Sequence, residues 1–193
     1  YAKSVAELYL TGLRPVAAPT PSHTLTDAEA TRLVGLYRSL TPAGAITIAR
    51  DKDGLLVRNV ARLVPMSATR FATIDLATYE FDGHEQLRVT DEFGTMDVYD
   101  RMDPVKPDVD ALKAFTGRYV SDEIETTMEV VLQGDRLLVR RRPDFEAPLV
   151  PVWANGFSSP PLGWVIFARD AAGQVISMSI NQDRAWDVRF VKQ

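Results

Sequence analysis

Over most of the chain, apolar and polar residues alternate in short runs that turn-forming residues separate. Residues 175–180 and 186–190 each alternate without a break, and the turn sequence Asp170-Ala-Ala-Gly173 precedes the first of these runs. A period of two is typical of a β-strand with one buried face. The pattern therefore predicts an all-β protein with short helices, built from antiparallel strands joined by tight turns.

The same order of motifs occurs twice in the chain. Three pairs of segments carry this repeat: 33–37 with 115–119 and 53–58 with 135–140, both 82 residues apart, and 63–65 with 149–151, 86 residues apart. A conserved order with a slowly growing offset is typical of an internal duplication with a short loop insertion. The unit is longer than the roughly 20–50 residues of a solenoid repeat, and long enough for a small domain. Equivalent motifs, at offsets of 82 to 90, are predicted to occupy equivalent strands.

Each copy contains eight candidate strands. Eight antiparallel strands can close into a barrel, which removes the exposed edges of an open sheet. The sequence thus predicts two tandem antiparallel eight-stranded barrels, at residues 26–105 and 106–193. Residues 1–25 are predicted to form a short amphipathic helix, with Val5, Leu8 and Tyr9 on one face, followed by a Pro-rich linker. We interpret this opening segment as the tail of an upstream domain.

Two helix-capping signals mark the start of the copies. Thr26 and Glu29 have the spacing of a capping box, in which each side chain hydrogen-bonds the backbone N–H of the other residue. Asp108, 82 residues after Thr26, is a favourable N-cap. A short helix is therefore predicted to lead into each barrel.

Composition narrows the classes of partner. The 193-residue chain has a net charge of −4, which argues against nucleic acid or an anionic membrane as a partner. It has no cysteine, so disulfides and thiolate chemistry are excluded. No apolar stretch approaches the roughly 18 residues of a membrane-spanning helix. We therefore expect no membrane span.

Candidate chemical groups are few. His23 and His84 lack the neighbours that a metal site needs, and no phosphate-binding glycine loop occurs, so no metal or cofactor is expected. The densest carboxylate cluster comprises Asp122, Glu123 and Glu125. We interpret it as a solvated hairpin loop, with a partner-facing loop or an acid–base pair as the alternatives.

The basic and aromatic residues of the second copy also have two interpretations. Alternation along a strand places Arg140, Arg141 and Arg142 on different faces, so local pairing with Asp144 and Glu146 is favoured over anion binding. The aromatic residues either fill the core or line a ligand cavity, and core packing is favoured because a small barrel has little interior space. One set of residues in the last two strands is predicted to share an inward face: Ile176, Met178, Ile180, Trp186, Val188 and Phe190.

The second copy resembles the C-terminal domain of bacterial serine hydrolases of the penicillin-binding-protein and class C β-lactamase family. The resemblance lies in residues 115–124, 135–140, 149–151, 157, 167–173 and 188–190. The first copy shows a weaker form of the pattern in Gly35-Leu-Tyr37, Asp53-Gly-Leu-Leu56, Leu63-Val-Pro65 and Phe71. The resemblance implies lipocalin-like barrels and a periplasmic or extracellular location.

Catalysis in that family belongs to a separate upstream domain with Ser-x-x-Lys, Tyr-x-Asn and Lys-Thr-Gly or His-x-Gly motifs. None of these motifs occurs in this chain. The chain is therefore predicted to be a non-catalytic accessory module that docks on the catalytic domain of its parent chain or mediates homo-oligomer contacts. The alternatives are a small-molecule carrier that uses a barrel interior and an enzyme with an unrecognised site.

Overall fold

The computed structural model describes residues 17–40, 43–57, 61–83, 85–182 and 185–193. Within them the chain forms two antiparallel barrels in tandem, which confirms the predicted all-β fold with short helices. The predicted opening helix with Val5, Leu8 and Tyr9 lies outside the described residues, and so does His84.

Each barrel is preceded by one short helix. The first unit contains α1 (Asp27–Leu33), β1 (Gly35–Leu40), β2 (Ala43–Asp51), β3 (Gly54–Val57), β4 (Ala61–Arg62), β5 (Val64–Pro65), β6 (Arg70–Ala72), β7 (Thr78–Asp82), β8 (Gln86–Thr90) and β9 (Met96–Met102). The second contains α2 (Val109–Lys113), β10 (Gly117–Ser121), β11 (Thr126–Gln133), β12 (Arg136–Arg141), β13 (Phe145–Trp153), β14 (Gly156–Ser159), β15 (Gly163–Arg169), β16 (Val175–Gln182) and β17 (Ala185–Lys192).

Both helices begin at the predicted caps. The Thr26 hydroxyl accepts from the backbone N–H of Glu29 at 3.3 Å, and the Glu29 carboxylate accepts from the N–H of Thr26 at 2.8 Å. This reciprocal arrangement is the predicted capping box. At the second helix, the Asp108 carboxylate accepts from the N–H of Ala111 at 2.8 Å.

The second barrel is closed, whereas the first is nearly closed. In the second, β10 to β17 pair in sequence order, and β10 pairs with β17. In the first, the nine-stranded sheet has β4 and β5 at its two edges. Only Leu63 separates these edge strands in the chain, and its N–H donates to the carbonyl of Leu55 at 2.9 Å. In the first barrel, the two short strands β4 and β5 thus take the place that the single strand β13 has in the second barrel.

Strand register is the same in the two barrels. Corresponding pairs are Gly35↔Ile48 with Gly117↔Val130, Pro65↔Phe71 with Pro151↔Phe157, and Leu87↔Tyr99 with Met178↔Phe190. The offsets are 82, 86 and 91 residues, so the last lies just beyond the predicted range. The predicted equivalence of Gly35 and Gly117 is confirmed, since each opens the first strand of its barrel.

The repeated Gly-x-Tyr motif joins each helix to its barrel through the tyrosine hydroxyl. Tyr37 donates to the carbonyl of Leu33 at 3.0 Å, and Tyr119 donates to that of Phe115 at 2.7 Å. Burial raises the pKa of both phenols above the ordinary value of 10.0. Both tyrosines therefore stay protonated donors at neutral pH.

A cation from the last strand covers each of these tyrosine rings. The Arg101 guanidinium lies 5.7 Å from the ring centroid of Tyr37, and the Lys192 ammonium lies 5.8 Å from that of Tyr119. Arg101 donates to the carbonyls of Arg32 and Val34, and Lys192 donates to that of Ala114. These bonds satisfy carbonyl groups where each helix ends.

The glycine of the motif leaves room for this cation. A Cβ on Gly117 would lie 2.8 Å from Cε of Lys192, and one on Gly35 would lie 3.1 Å from the Arg101 guanidinium. The Gly-x-Tyr pairs are therefore structural in both copies.

Side chains fill the interior of the second barrel. Phe115 lies at its helix-bearing end, with ring centroids 4.9 Å from Phe157 and 4.8 Å from Phe167. Tyr119 and Phe190 are fully buried in the same cluster. The core-packing interpretation thus holds for Phe157, Phe167 and Phe190.

The predicted inward face of the last two strands is wrong at two positions. Met178, Ile180 and Phe190 are buried and Val188 packs against the core, but Ile176 and Trp186 are 45% and 60% exposed. Val175 and Ser177 pair with the adjacent residues Arg169 and Ala168, so Ile176 is the extra residue of a β-bulge. A second register shift after Ile180, with Asp187 at a φ of 52°, turns Trp186 outward.

Candidate functional site

Two of the three tryptophans, Trp153 and Trp164, lie where the two barrels contact each other, a region that we call the seam. Trp153 is 2% exposed but belongs to neither hydrophobic core, and Trp164 alternates with the core residues Val165 and Phe167. Trp153 is thus packed, as predicted, but against Trp164 on the outer face of the second barrel and not in its interior; the two ring centroids are 5.3 Å apart. The tryptophans instead form part of the contact between the two barrels.

Arg38 of β1 and Gly44 of β2 in the first barrel lie against this pair. The Arg38 guanidinium lies 5.9 Å from the ring centroid of Trp153. A Cβ on Gly44 would lie only 3.2 Å from Nε1 of Trp164. Nε of Arg38 and Nε1 of Trp153 are buried without a hydrogen-bond partner, so stacking rather than hydrogen bonding holds this part of the seam.

The predicted carboxylate cluster forms an exposed turn between β10 and β11. Asp122, Glu123 and Glu125 are all exposed, and the backbone of Glu125 has a φ of 48°. Their exposure agrees with the predicted solvated hairpin loop. Glu125 additionally borders a groove on the outer face of the second barrel.

This groove, which we call the basic groove, has a volume of about 640 Å³. Its lining is mostly charged and consists of Arg118, Glu125, Thr126, Thr127, Glu129, Arg140, Arg141 and Arg142. The expectation that Arg140, Arg141 and Arg142 cannot share a patch is therefore wrong. Alternation holds only to Arg141, where β12 ends, so the strand period does not determine the position of Arg142.

Two arginines of the basic groove are held in place, and two are not. Nε of Arg140 lies 2.6 Å from Oε2 of Glu146, which is the predicted local pairing. The Arg141 guanidinium lies 5.3 Å from the ring centroid of Phe145. Arg118 and Arg142 form no ion pair with any residue that the structure describes. The groove thus presents fixed and unpaired guanidinium groups together.

A second surface lies at one end of the first barrel, where four large apolar side chains are exposed. We call it the apolar tip; it consists of Ile74, Leu76, Phe93 and Met96. Ile74 is 78% and Phe93 is 85% exposed. Thr78, Thr90 and Met96 are register partners across β7, β8 and β9, which brings the β6–β7 loop and the β8–β9 turn to the same end of the barrel.

Hydrogen bonds fix the turn that carries Phe93. The Asp91 carboxylate accepts from the backbone N–H of Phe93 at 2.9 Å and from that of Thr95 at 2.8 Å. The N–H of Asp91 donates to the carbonyl of Thr95 at 3.0 Å. The aromatic ring is therefore presented by a well-defined turn.

The two loops that carry the apolar tip are acidic. Segments 73–77 and 91–95 contain Asp75, Asp91 and Glu92 and no lysine or arginine, and Asp97 follows Met96. Neither this surface nor the basic groove emerged from sequence reasoning. The available signal for the tip was a phenylalanine inside the turn sequence Asp91-Glu-Phe-Gly94, where polar residues are usual.

Among the described residues, no group of three or more His, Cys, Asp or Glu side chains is arranged to hold a metal ion. Within the same ranges, no helix is long and apolar enough to cross a membrane. No protein-family model matches the chain, and no curated protein matches it significantly.

Proposed function

We propose that the chain is a non-catalytic accessory module that docks on a partner protein through the apolar tip. The observation that carries this proposal is the exposure of Ile74 and Phe93 on hydrogen-bonded loops at one end of a barrel. Exposed clusters of large apolar residues with a polar rim are typical of protein-binding surfaces. An aromatic residue at the centre of such a surface is the usual energetic anchor.

The charge around the tip defines the chemistry of its partner. The acidic rim favours a surface with an apolar centre and surrounding lysine or arginine residues, and it disfavours an anionic membrane. The tip also adjoins the contact between the two barrels of the chain. Val98, two residues beyond Met96, lies on the same outer face as Asp100, and Asp100 is the register partner of Arg38 in the seam.

We further propose that this partner is the catalytic domain of a parent serine hydrolase. The support is the resemblance of the second copy to C-terminal domains of the penicillin-binding-protein and class C β-lactamase family, together with the absence of that family's catalytic motifs from this chain. The proposal carries with it the lipocalin-like description of the barrels and a periplasmic or extracellular location. The filled interior of the second barrel favours docking over the carrier alternative.

The reading frame that encodes the chain provides the first test. We expect an upstream domain with Ser-x-x-Lys, Tyr-x-Asn and Lys-Thr-Gly or His-x-Gly motifs. We also expect that a serine-directed covalent probe labels that domain and none of the serines of this chain. An upstream sequence without these motifs, or acylation of a serine in this chain, would overturn the hydrolase assignment.

Hydrogen exchange tests docking through the tip. In the full-length protein, the amides of residues 91–96 should exchange more slowly than in this chain alone. The double variant Phe93→Ser, Ile74→Ser should abolish that difference, whereas Val191→Ser, at a position of 57% exposure in the other barrel, should not. Equal exchange with and without the upstream domain would refute docking. A concentration-dependent dimer that Phe93→Ser disrupts would identify a second copy as the partner instead.

A further inference from the structure

We propose that the basic groove binds an acidic peptide segment in an extended conformation. Four arginines and two glutamates line the groove, and Glu146 pairs with Arg140 beside it, which leaves one excess positive charge on a chain whose net charge is −4. The rest of the protein is thus more acidic than the whole, and the groove concentrates positive charge. Such a surface attracts a negatively charged ligand and orients it.

The arginines of the groove are arranged for carboxylate recognition. Glu146 fixes Arg140 and the ring of Phe145 supports Arg141, so little side-chain freedom remains to be lost when a ligand binds. Arg118 and Arg142 form no ion pair within the described residues, so their donors are available. Guanidinium groups bind carboxylates through paired N–H donors.

The position of Glu129 favours a peptide over a uniformly charged polymer. Arg118, Glu129 and Arg140 are register partners on β10, β11 and β12 and form one row across the outer face. An anion that spans the two arginines therefore meets a carboxylate between them. A dense phosphate polymer would be repelled there, whereas a peptide can place a backbone N–H or a hydroxyl donor beside Glu129.

Strand spacing gives the spacing of the ligand's charges. Neighbouring strands are about 4.8 Å apart, so Arg118 and Arg140, two strands apart, are separated by roughly 10 Å at the backbone. An extended chain in the polyproline II conformation advances about 3.1 Å per residue with three residues per turn, so carboxylates three residues apart lie on one face and span about 9 Å. The expected motif is an acidic residue, two spacer residues that include serine or threonine, and a second acidic residue.

Fluorescence anisotropy with a labelled Glu-Ser-Ser-Glu peptide and the full chain tests this proposal. We expect saturable binding that weakens as salt concentration rises. The double variant Arg118→Gln, Arg142→Gln should weaken binding at least about tenfold. Arg136→Gln plus Arg32→Gln removes the same charge outside the groove and should leave the affinity nearly unchanged.

Further ligands test whether binding requires the carboxylates, their spacing and a peptide backbone. A Gln-Ser-Ser-Gln peptide should not bind, and a peptide with adjacent glutamates should bind more weakly than the spaced one. Polyphosphate that binds the wild type more tightly than the peptide would overturn the peptide assignment, and so would equal losses in the groove and control variants. Undetectable peptide binding by the folded wild type would overturn the proposal. The basic groove and the apolar tip lie on different barrels, so the tip variants do not affect this test.

Discussion

Individual side chains on the same strand contribute very differently to stability. Phe190 is fully buried and faces Met178 across the β16–β17 ladder, whereas Trp186 on the same strand is 60% exposed. Removal of a buried aromatic ring costs its transfer free energy and also leaves a cavity. Removal of an exposed ring costs neither.

Phe190→Ala is therefore expected to lower the free energy of unfolding by about 3–5 kcal/mol. Trp186→Ala, on the same strand, should change it by less than about 0.5 kcal/mol. Urea denaturation followed by circular dichroism measures both values. A mild effect of Phe190→Ala would indicate an interior that already contains space, and would reopen the carrier alternative.

At the level of elements, the recurring unit is a short helix joined to a strand by a buried tyrosine and covered by a cation from the last strand. The hydroxyl of Tyr37 or Tyr119 bonds the carbonyl four residues earlier, and Arg101 or Lys192 lies over the ring. The unit connects the beginning of each barrel with its end. The cation therefore covers the ring only when the last strand lies beside the first.

The variants Tyr37→Phe and Tyr119→Phe should each lower stability by about 0.5–1.5 kcal/mol, because each leaves a helix-end carbonyl without its buried donor. Tyr79→Phe is the matched control: Tyr79 is 7% exposed, and no hydrogen bond of its hydroxyl occurs within the described residues. Chemical denaturation of the three variants gives the comparison. Equal losses in all three would show that the hydroxyl bonds do not connect helix and barrel.

The pattern of alternation predicted these elements well but could not predict the bulges. Leu55, Val57, Leu137 and Val139 all face the cores at the positions that period two requires. Ile176 and Trp186 do not, because the register shifts beside them depend on partners in neighbouring strands.

The basic groove and the apolar tip could not be predicted from the sequence for a related reason. The groove gathers residues from three strands and two loops, and the tip gathers two separate loops of the first barrel.

For the whole molecule, the seam determines whether the barrels behave as one unit. Trp153 is buried against Trp164 beneath Arg38 of the first barrel. Gly156 makes this arrangement feasible, because a Cβ there would lie 1.9 Å from Cε2 of Trp153. The contact also includes the connecting segment, where the N–H of Val105 donates to the carbonyl of Val152 at 3.2 Å.

Trp153→Ala should cost about 3–5 kcal/mol and separate the melting transitions of the two barrels, because it removes the largest buried side chain of the seam. Differential scanning calorimetry should show one transition for the wild type and two for the variant. Trp186→Ala provides the control for loss of a tryptophan. A single transition in Trp153→Ala would indicate that other contacts couple the barrels.

The identical strand register of the two barrels also determines how the chain can misfold. Because β1 to β3 and β10 to β12 offer the same ladder positions, a strand of one barrel can occupy the place of its counterpart in the other. Such exchanged pairings would trap the chain in compact, non-native forms. The split of β4 from β5 in the first barrel makes the two units unequal at the point of closure, and it thereby opposes complete exchange between them.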